Sequence, residues 1–174
     1  MTDKHRRFLG PVVEMRKLHD SAEQRIVHSA EMLDRKSLAS VGDTTGERLT
    51  ALLTETKAHT PEELAANVAR IGGLLERFAL YVPARFTDDP AEQAKYWAVR
   101  SGIFPAVGGS RPAGTTCLIE DVAFHIEDLP RATAELQALI ARHGYDDACI
   151  YGHALEGNYH FIINQSFSTP AEAA

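Results

Sequence analysis

The sequence has few of the residues that define several common protein classes. It contains two cysteines, Cys117 and Cys149, and neither lies in a Cys-x-x-Cys pair. This argues against a disulfide-stapled scaffold and a cysteine-based metal site, and it favours buried, reduced thiols. No apolar run approaches the ~18 residues needed to span a bilayer, and the first residues lack the apolar core of a signal peptide. We therefore expect a soluble, cytoplasmic protein.

Basic residues are also in the minority. The 174 residues include 18 Lys and Arg against 24 Asp and Glu, which gives a net charge of −6. Such an acidic balance argues against a general nucleic-acid binder. The hydrophobic content of 44% is enough for one compact domain with a core of its own. We expect that domain to cover residues 22–174, after an N-terminal leader of unknown role at residues 1–21.

Local patterns predict alternating helices and strands. Two helix starts carry a capping residue, a proline at the first helical position and a glutamate soon after: Thr60-Pro61-Glu62-Glu63 and Asp89-Pro90-Ala91-Glu92. The patterns predict helices at 35–41, 60–78, 89–100 and 128–143. They predict strands at 26–33, 49–56, 80–87 and 115–126, and loops at 42–46 and at the glycine-rich segment 102–114. This order fits an α+β fold in which an antiparallel sheet carries helices packed on one face, with a ferredoxin-like arrangement.

Residues 151–161 contain two histidines on either side of a Glu-Gly-Asn turn, a pattern typical of a β-hairpin. A loop at Glu156-Gly157 would place His153 directly opposite His160, with Cβ atoms about 5 Å apart. A loop at Gly157-Asn158 would place His153 opposite Ile162 and diagonal to His160, about 7 Å away. Both registers put the two imidazoles on the same face of the sheet.

Two converging neutral imidazoles suit a borderline metal such as zinc or manganese. Catalytic zinc, however, usually takes three protein ligands. On spacing alone, the alternative is that one histidine is a half-buried strand residue and the other faces solvent.

Three segments, at residues 97–105, 114–124 and 152–161, resemble in the right order the C-terminal domain of FAD-linked oxidases. The similarity covers roughly residues 26–171. It is strongest to the FAD-dependent D-lactate dehydrogenases, which are related to glycolate oxidase and D-2-hydroxyglutarate dehydrogenase. The resemblance implies a flavoprotein oxidoreductase that oxidises a D-2-hydroxy acid, such as D-lactate, to the 2-keto acid.

The resemblance also implies roles for individual residues. His153 and His160 match the family's ligands for a divalent metal near the flavin, zinc or manganese. Asn158 lies between them and would contact substrate or flavin, while Arg100 matches the arginine that binds the substrate carboxylate. The planar guanidinium suits a carboxylate well. The alternative for Arg100 is a solvated residue on a surface helix.

Departures from the family pattern lead to further expectations. The family carries an FAD-binding domain ahead of this region, and a metal-binding Glu followed by a His downstream of the hairpin. We therefore expect this chain to be a fragment, with FAD bound mainly by a domain or subunit absent from it and with its own flavin contacts unidentified. Ile119 stands where the D-2-hydroxyglutarate branch has a lysine, which argues against a dicarboxylate substrate. Glu120 and Asp121 are expected to be a solvated strand edge.

A second function stays open at this point. The chain would then be a non-catalytic cap or interaction module that docks on a separate FAD-binding subunit. Its docking face would carry an exposed apolar patch.

Overall fold

The computed structural model describes residues 3–21, 24–42 and 50–173. The helices are α1 (Asp3–Arg16), α2 (Arg35–Ser40), α3 (Pro61–Leu75), α4 (Pro90–Ser110), α5 (Leu129–Arg142) and α6 (Pro170–Ala173). The strands are β1 (His19–Ser21), β2 (Gln24–Arg25), β3 (Ser29–Leu33), β4 (Ala51–Glu55), β5 (Thr115–Ala123), β6 (Cys149–His153) and β7 (Asn158–Ser166). Two short 3₁₀ turns occupy Ile126–Asp128 and Ala154–Glu156.

Five strands form one open antiparallel sheet in the order β4-β3-β6-β7-β5, and β1 and β2 form a separate short ladder. Both β5 and β6 pair antiparallel with β7, so they run parallel to each other with β7 between them. With α5 as the connection, β5, α5 and β6 make a split βαβ unit, the building block of ferredoxin-like folds. The predicted α+β class and antiparallel sheet are confirmed.

Apolar residues pack on both faces of this sheet. The larger cluster joins one face to α1, α3 and α5. Helices therefore cover both faces of the sheet rather than the one face predicted, since α2 and α4 pack on the other. A second, smaller cluster joins the opposite face to α2 and α4, and its buried members are Leu33, Leu38, Ile103, Val107, Cys149, Tyr151 and Ile162. This second face also carries the residues of the candidate site.

Helix α1 contributes Leu9, Val12 and Met15 to the larger cluster, and all three are buried. Residues that were predicted to be part of a leader therefore pack in the core. The predicted domain boundary between residues 21 and 22 stays a prediction.

The two predicted helix starts are confirmed. Thr60 caps α3, because its Oγ1 accepts a hydrogen bond from the Glu63 N–H at 3.1 Å. The Glu63 carboxylate in turn accepts from the N–H of His59 at 3.0 Å. Asp89 caps α4 by accepting from the Ala91 N–H at 2.9 Å. Because such caps depend only on neighbouring residues, the sequence reveals them directly.

The predicted strand at residues 80–87 is wrong. The structure has an irregular, exposed segment there, in which the Tyr81 side chain is 74% accessible. Within residues 3–21, 24–42 and 50–173 no strand pairs with this segment, and Pro83 has no N–H to donate to one. Its apolar residues suggested a strand but are not buried in the described part of the chain.

The predicted loop at residues 102–114 is wrong over most of its length, because α4 continues to Ser110. Ile103 and Val107 are buried against the second face of the sheet. Burial of these two side chains, at about 1.5–3 kcal/mol each, helps to offset the roughly 1 kcal/mol that each glycine and the roughly 3 kcal/mol that Pro105 cost within the helix. Of the other predicted loop, residues 42–46, only Gly42 lies in the described residues.

None of the helices in the described part of the chain combines the length and apolar character that crossing a membrane requires.

Candidate functional site

The hairpin that carries the two histidines has neither of the predicted registers. Tyr151 pairs with His160 across β6 and β7, and the strands are joined by the 3₁₀ turn Ala154–Glu156 and by Gly157. His153 therefore lies diagonally from His160. The two rings still share one face, with centroids 5.4 Å apart and planes at 78°. The expected convergence of the imidazoles is confirmed, whereas both registers were wrong.

Gly157 fixes the end of this hairpin against the end of β5. Its φ of +74° is in the left-handed region, and a Cβ there would overlap the carbonyl oxygen of Phe124. The Gly157 carbonyl also accepts a hydrogen bond from the Phe124 N–H at 2.9 Å. Only glycine fits this close approach of two backbones.

Glu31 lies at the centre of the site. It stands directly opposite His153 in the ladder between β3 and β6, and its side chain is only 4% exposed. Its Oε1 lies 2.5 Å from Nδ1 of His153, and its Oε2 accepts from Nε of Arg100 at 3.0 Å. One buried carboxylate therefore joins α4 to the histidine hairpin.

Arg100 projects from the middle of α4 onto the second face of the sheet. Its side chain is 19% exposed, and its guanidinium lies over the Tyr151 ring, 5.0 Å from the centroid. The alternative of a freely solvated surface arginine is therefore wrong. Burial raises the pKa of the Tyr151 phenol, although the charge of Arg100 opposes that shift. Tyr151 thus presents a neutral ring to the guanidinium at physiological pH.

His160 has a carboxylate partner as well. Asp121 pairs with His160 across β5 and β7, and its Oδ1 lies 3.1 Å from Nδ1 of the ring. The same oxygen accepts from Nδ2 of Asn158 at 2.9 Å. Asp121 is 58% exposed, as expected for a strand edge, but it also binds two residues of the predicted site. Glu120 points to the other face of β5.

The structure brings all four predicted site residues together. They form one network with two carboxylates and an aromatic ring, whose members are Arg100, Glu31, Tyr151, His153, His160, Asp121 and Asn158. Sequence reasoning missed Glu31 and Tyr151. A signal for Glu31 was present, because a carboxylate inside the apolar run of residues 30–33 is rare unless it is paired.

The network meets part of what a metal centre needs. Histidines that bind metals usually donate their other ring N–H to a carboxylate, and His153 and His160 both place Nδ1 against one. Within residues 3–21, 24–42 and 50–173, however, no group of three or more His, Cys, Asp or Glu side chains is arranged to hold a metal ion. The described residues supply two imidazoles rather than a complete set of ligands.

Comparison with known proteins identifies the family. The family model described as FAD linked oxidases, C-terminal domain, matches residues 15–174, which include every residue of the network. No curated protein matches the chain. The family match covers nearly the whole chain, in agreement with the resemblance carried by the three sequence segments. The chain belongs to the FAD-linked oxidases, as a C-terminal domain of that family.

Proposed function

We propose that this domain binds and orients the substrate in an FAD-dependent oxidation of a D-2-hydroxy acid, such as D-lactate, to the 2-keto acid. Family membership supports the flavin-dependent oxidation. The resemblance of the three sequence segments to D-lactate dehydrogenases supports the choice of substrate. The observation that carries the proposal is the network, because it groups an arginine, an amide and two imidazoles on one face of the sheet.

Arg100 is the proposed partner of the substrate carboxylate. Glu31 holds its Nε, and the Tyr151 ring covers one face of its guanidinium. The described part of the chain gives its two terminal nitrogens no hydrogen-bond partner. Two parallel N–H groups at the end of a fixed guanidinium match the two oxygens of a carboxylate.

His153 and His160 are the proposed protein ligands of a zinc or manganese ion. Each would bind through Nε2, because Nδ1 faces a carboxylate in both rings. Such an ion would supply Lewis-acid polarisation of a substrate oxygen. Other coordination positions would be filled from outside this pair of histidines.

Charge also favours a cation at this site. Arg100 contributes one positive charge, Glu31 and Asp121 contribute two negative charges, and neutral imidazoles add none. The network then carries a net charge of −1, which repels an anionic hydroxy acid. A divalent cation would change that net charge to +1 and favour the substrate.

Asn158 completes the proposed binding groups. Asp121 holds its Nδ2, so its Oδ1 is left to accept a hydrogen bond from the substrate hydroxyl or to contact the flavin. Flavin, when bound, supplies the acceptor for the hydride that leaves the substrate carbon, and the hydroxyl proton goes to a base outside these residues. The residues of this chain act by binding, orientation and electrostatics.

Binding of D-lactate by the purified chain tests this function. Titration calorimetry with ZnCl₂ present should show D-lactate binding, and Arg100→Lys should weaken it about tenfold or more, because lysine cannot pair with both oxygens. Arg131→Lys is the matched control, since Arg131 pairs with Asp128 and Glu135, which lie three and four residues away from it. Equal affinity of wild type and Arg100→Lys would contradict the proposed role of Arg100.

A second candidate function is supported by a different observation. Leu80, Tyr81, Val82 and Phe86 are exposed in the irregular segment before α4, and Trp97 on α4 is exposed as well. An apolar patch of this kind is typical of a docking surface. We propose, as the alternative, that the domain is a non-catalytic cap that docks on a separate FAD-binding subunit.

Surface variants distinguish the two functions. Replacing Tyr81 and Val82 by serine should weaken binding to an FAD-binding subunit, measured by calorimetry, without changing the affinity for D-lactate. Leu139→Ser, at an exposed position of α5, is the control. A chain that docks normally on that subunit but binds no hydroxy acid would favour the cap over the substrate-binding domain.

A further inference from the structure

Glu31 is a charged residue in the most buried part of the site. Its neighbours along β3, Ala30 and Met32, belong to the core, and Glu31 itself is 3% exposed. Removing a carboxylate from water is costly unless other groups satisfy its oxygens. Here both oxygens are used, and both partners are residues that the proposed function needs.

Arg100 and His153 contact different oxygens of the Glu31 side chain. The Nε of arginine always carries hydrogen, so the Glu31 oxygen at 3.0 Å accepts from it. The other oxygen lies 2.5 Å from Nδ1 of His153, and in the ionised form of Glu31 it also accepts, because that form has no hydrogen to donate. Nδ1 of His153 must then carry the ring hydrogen, which leaves the Nε2 lone pair of the neutral imidazole free.

We propose that Glu31 is a positioning residue, which holds Arg100 in place through one oxygen and fixes the tautomer of His153 through the other. This inference rests on the proposed function for the roles of Arg100 and His153. It adds a residue that touches neither substrate nor metal and acts on both through its neighbours. It also makes the carboxylate-binding group and the metal-binding group of the site depend on a single side chain.

Asp121 provides a natural comparison. It faces Nδ1 of His160 in the same way that Glu31 faces His153, but it is 58% exposed and also accepts from Asn158. Water competes for an exposed carboxylate, so its hold on the ring is weaker. The effect of removing the charge should therefore be large at Glu31 and small at Asp121.

Glu31→Gln tests the proposal, because glutamine has the same shape but only one oxygen. That oxygen must accept from Arg100, and the NH₂ group is then directed at His153. Nδ1 of His153 must become the acceptor, and the ring hydrogen moves to Nε2. Long-range ¹H–¹⁵N NMR of the histidine rings at about pH 8, where an ordinary imidazole is neutral, reports this change directly.

The expected result is an Nδ1–H tautomer of His153 in the wild type and an Nε2–H tautomer in Glu31→Gln. Zinc affinity, measured with Zn²⁺ alone, should fall about 10- to 100-fold in Glu31→Gln, as it does when a residue behind a metal ligand is changed. Asp121→Asn should leave the His153 tautomer unchanged. Glu120→Gln, on the other face of β5, should change neither the tautomers of the two histidines nor the zinc affinity.

Two outcomes would overturn the proposal: an Nε2–H tautomer of His153 in the wild type, or an unchanged tautomer in folded Glu31→Gln. If Glu31→Gln does not fold, the His153 tautomer of the wild type still tests the proposal. Arg100→Gln is then the second variant, and its His153 should keep the Nδ1–H tautomer. Failure of the proposed function looks different. In that case the wild type binds neither Zn²⁺ nor D-lactate, while the tautomer still responds to Glu31→Gln.

Discussion

The guanidinium of Arg100 lies over the ring of Tyr151, with 5.0 Å between the guanidinium carbon and the ring centroid. Tyr151 is buried, so this cation–π contact is shielded from water. Cation–π contacts contribute most to stability when they are shielded in this way. It supports the side of Arg100 that Glu31 does not hold. The arginine is thus fixed by a carboxylate at its edge and by an aromatic ring at its face.

A double-mutant cycle should measure this contact. For Tyr151→Leu combined with Arg100→Met, we expect a coupling of about 0.5–2 kcal/mol in the free energy of unfolding, measured with urea. The matched cycle with Tyr151→Phe keeps an aromatic ring against the guanidinium. Its measured coupling energy should therefore be close to zero. Zero coupling in the leucine cycle would show that the ring does not hold Arg100.

Removing either histidine should weaken zinc binding by the purified chain. We expect His153→Ala and His160→Ala each to lower the affinity for Zn²⁺ by at least about tenfold, because each deletes one of the two proposed imidazole ligands. The measurement is competition against a zinc chelator of known affinity. His143→Ala removes an exposed histidine at the end of α5 and is the control. Unchanged affinity in His160→Ala would argue against the proposed metal site.

Gly157→Ala should destabilise the protein more than Gly144→Ala. Both glycines have positive φ, +74° and +81°, so alanine costs about 1–2 kcal/mol of backbone strain at either position. A Cβ at Gly144 meets no atom within 4 Å, whereas one at Gly157 overlaps the Phe124 carbonyl. The difference in the free energy of unfolding between the two variants measures the cost of the overlap between the new Cβ and the Phe124 carbonyl. Equal values would show that the hairpin end shifts without cost.

The two thiols should react at different rates in the native protein. Burial raises the pKa of the Cys149 thiol to about 12, and the nearby carboxylate of Asp34 adds to that shift. Cys117 is only partly buried. Because the thiolate is the reactive form, a thiol reagent at about pH 8 should modify Cys117 first. Cys117→Ser should remove the fast phase, and Cys149→Ser should retain it.

The same shift predicts a dependence of stability on pH. The unfolded thiol of Cys149 loses its proton near its ordinary pKa of about 8.5, while the folded thiol keeps it until about pH 12. The folded state then binds more protons in this interval, so stability from Cys149 is intact below it and is lost as the pH rises. The free energy of unfolding, measured with urea from pH 8 to 11, should decline less steeply with pH in Cys149→Ser than in the wild type. Parallel curves for both proteins would contradict the raised pKa.

The elements that the sequence predicted correctly depend on neighbouring residues. The cap of α3 at Thr60 and the cap of α4 at Asp89 are made within a few residues, and they lie where the sequence indicates. Segment 80–87 and the second half of α4 depend instead on distant packing. Segment 80–87 finds no partner strand among the described residues, and the second half of α4 is held by buried Ile103, so local propensity misleads in both.

The candidate site shows the same limit. Arg100, Asn158, His153 and His160 were predicted because they lie in motifs that resemble a family, and the structure groups them. The hairpin register was missed because a 3₁₀ turn before Gly157 replaced a two-residue loop. Glu31 was missed for another reason, since its two partners come from residues 69 and 122 positions away in the chain.

The position of β3 between β4 and β6 has a consequence for the order in which the molecule folds. β4 follows β3 closely in the chain, so that ladder can close early. The ladder to β6 joins residues more than a hundred positions apart, so we expect it to close later. Until then, the carboxylate of Glu31 remains at an open sheet edge and in contact with water. We therefore expect the sheet to close and the site to assemble in the same late step, since a species that lacks β6 also lacks His153 opposite Glu31.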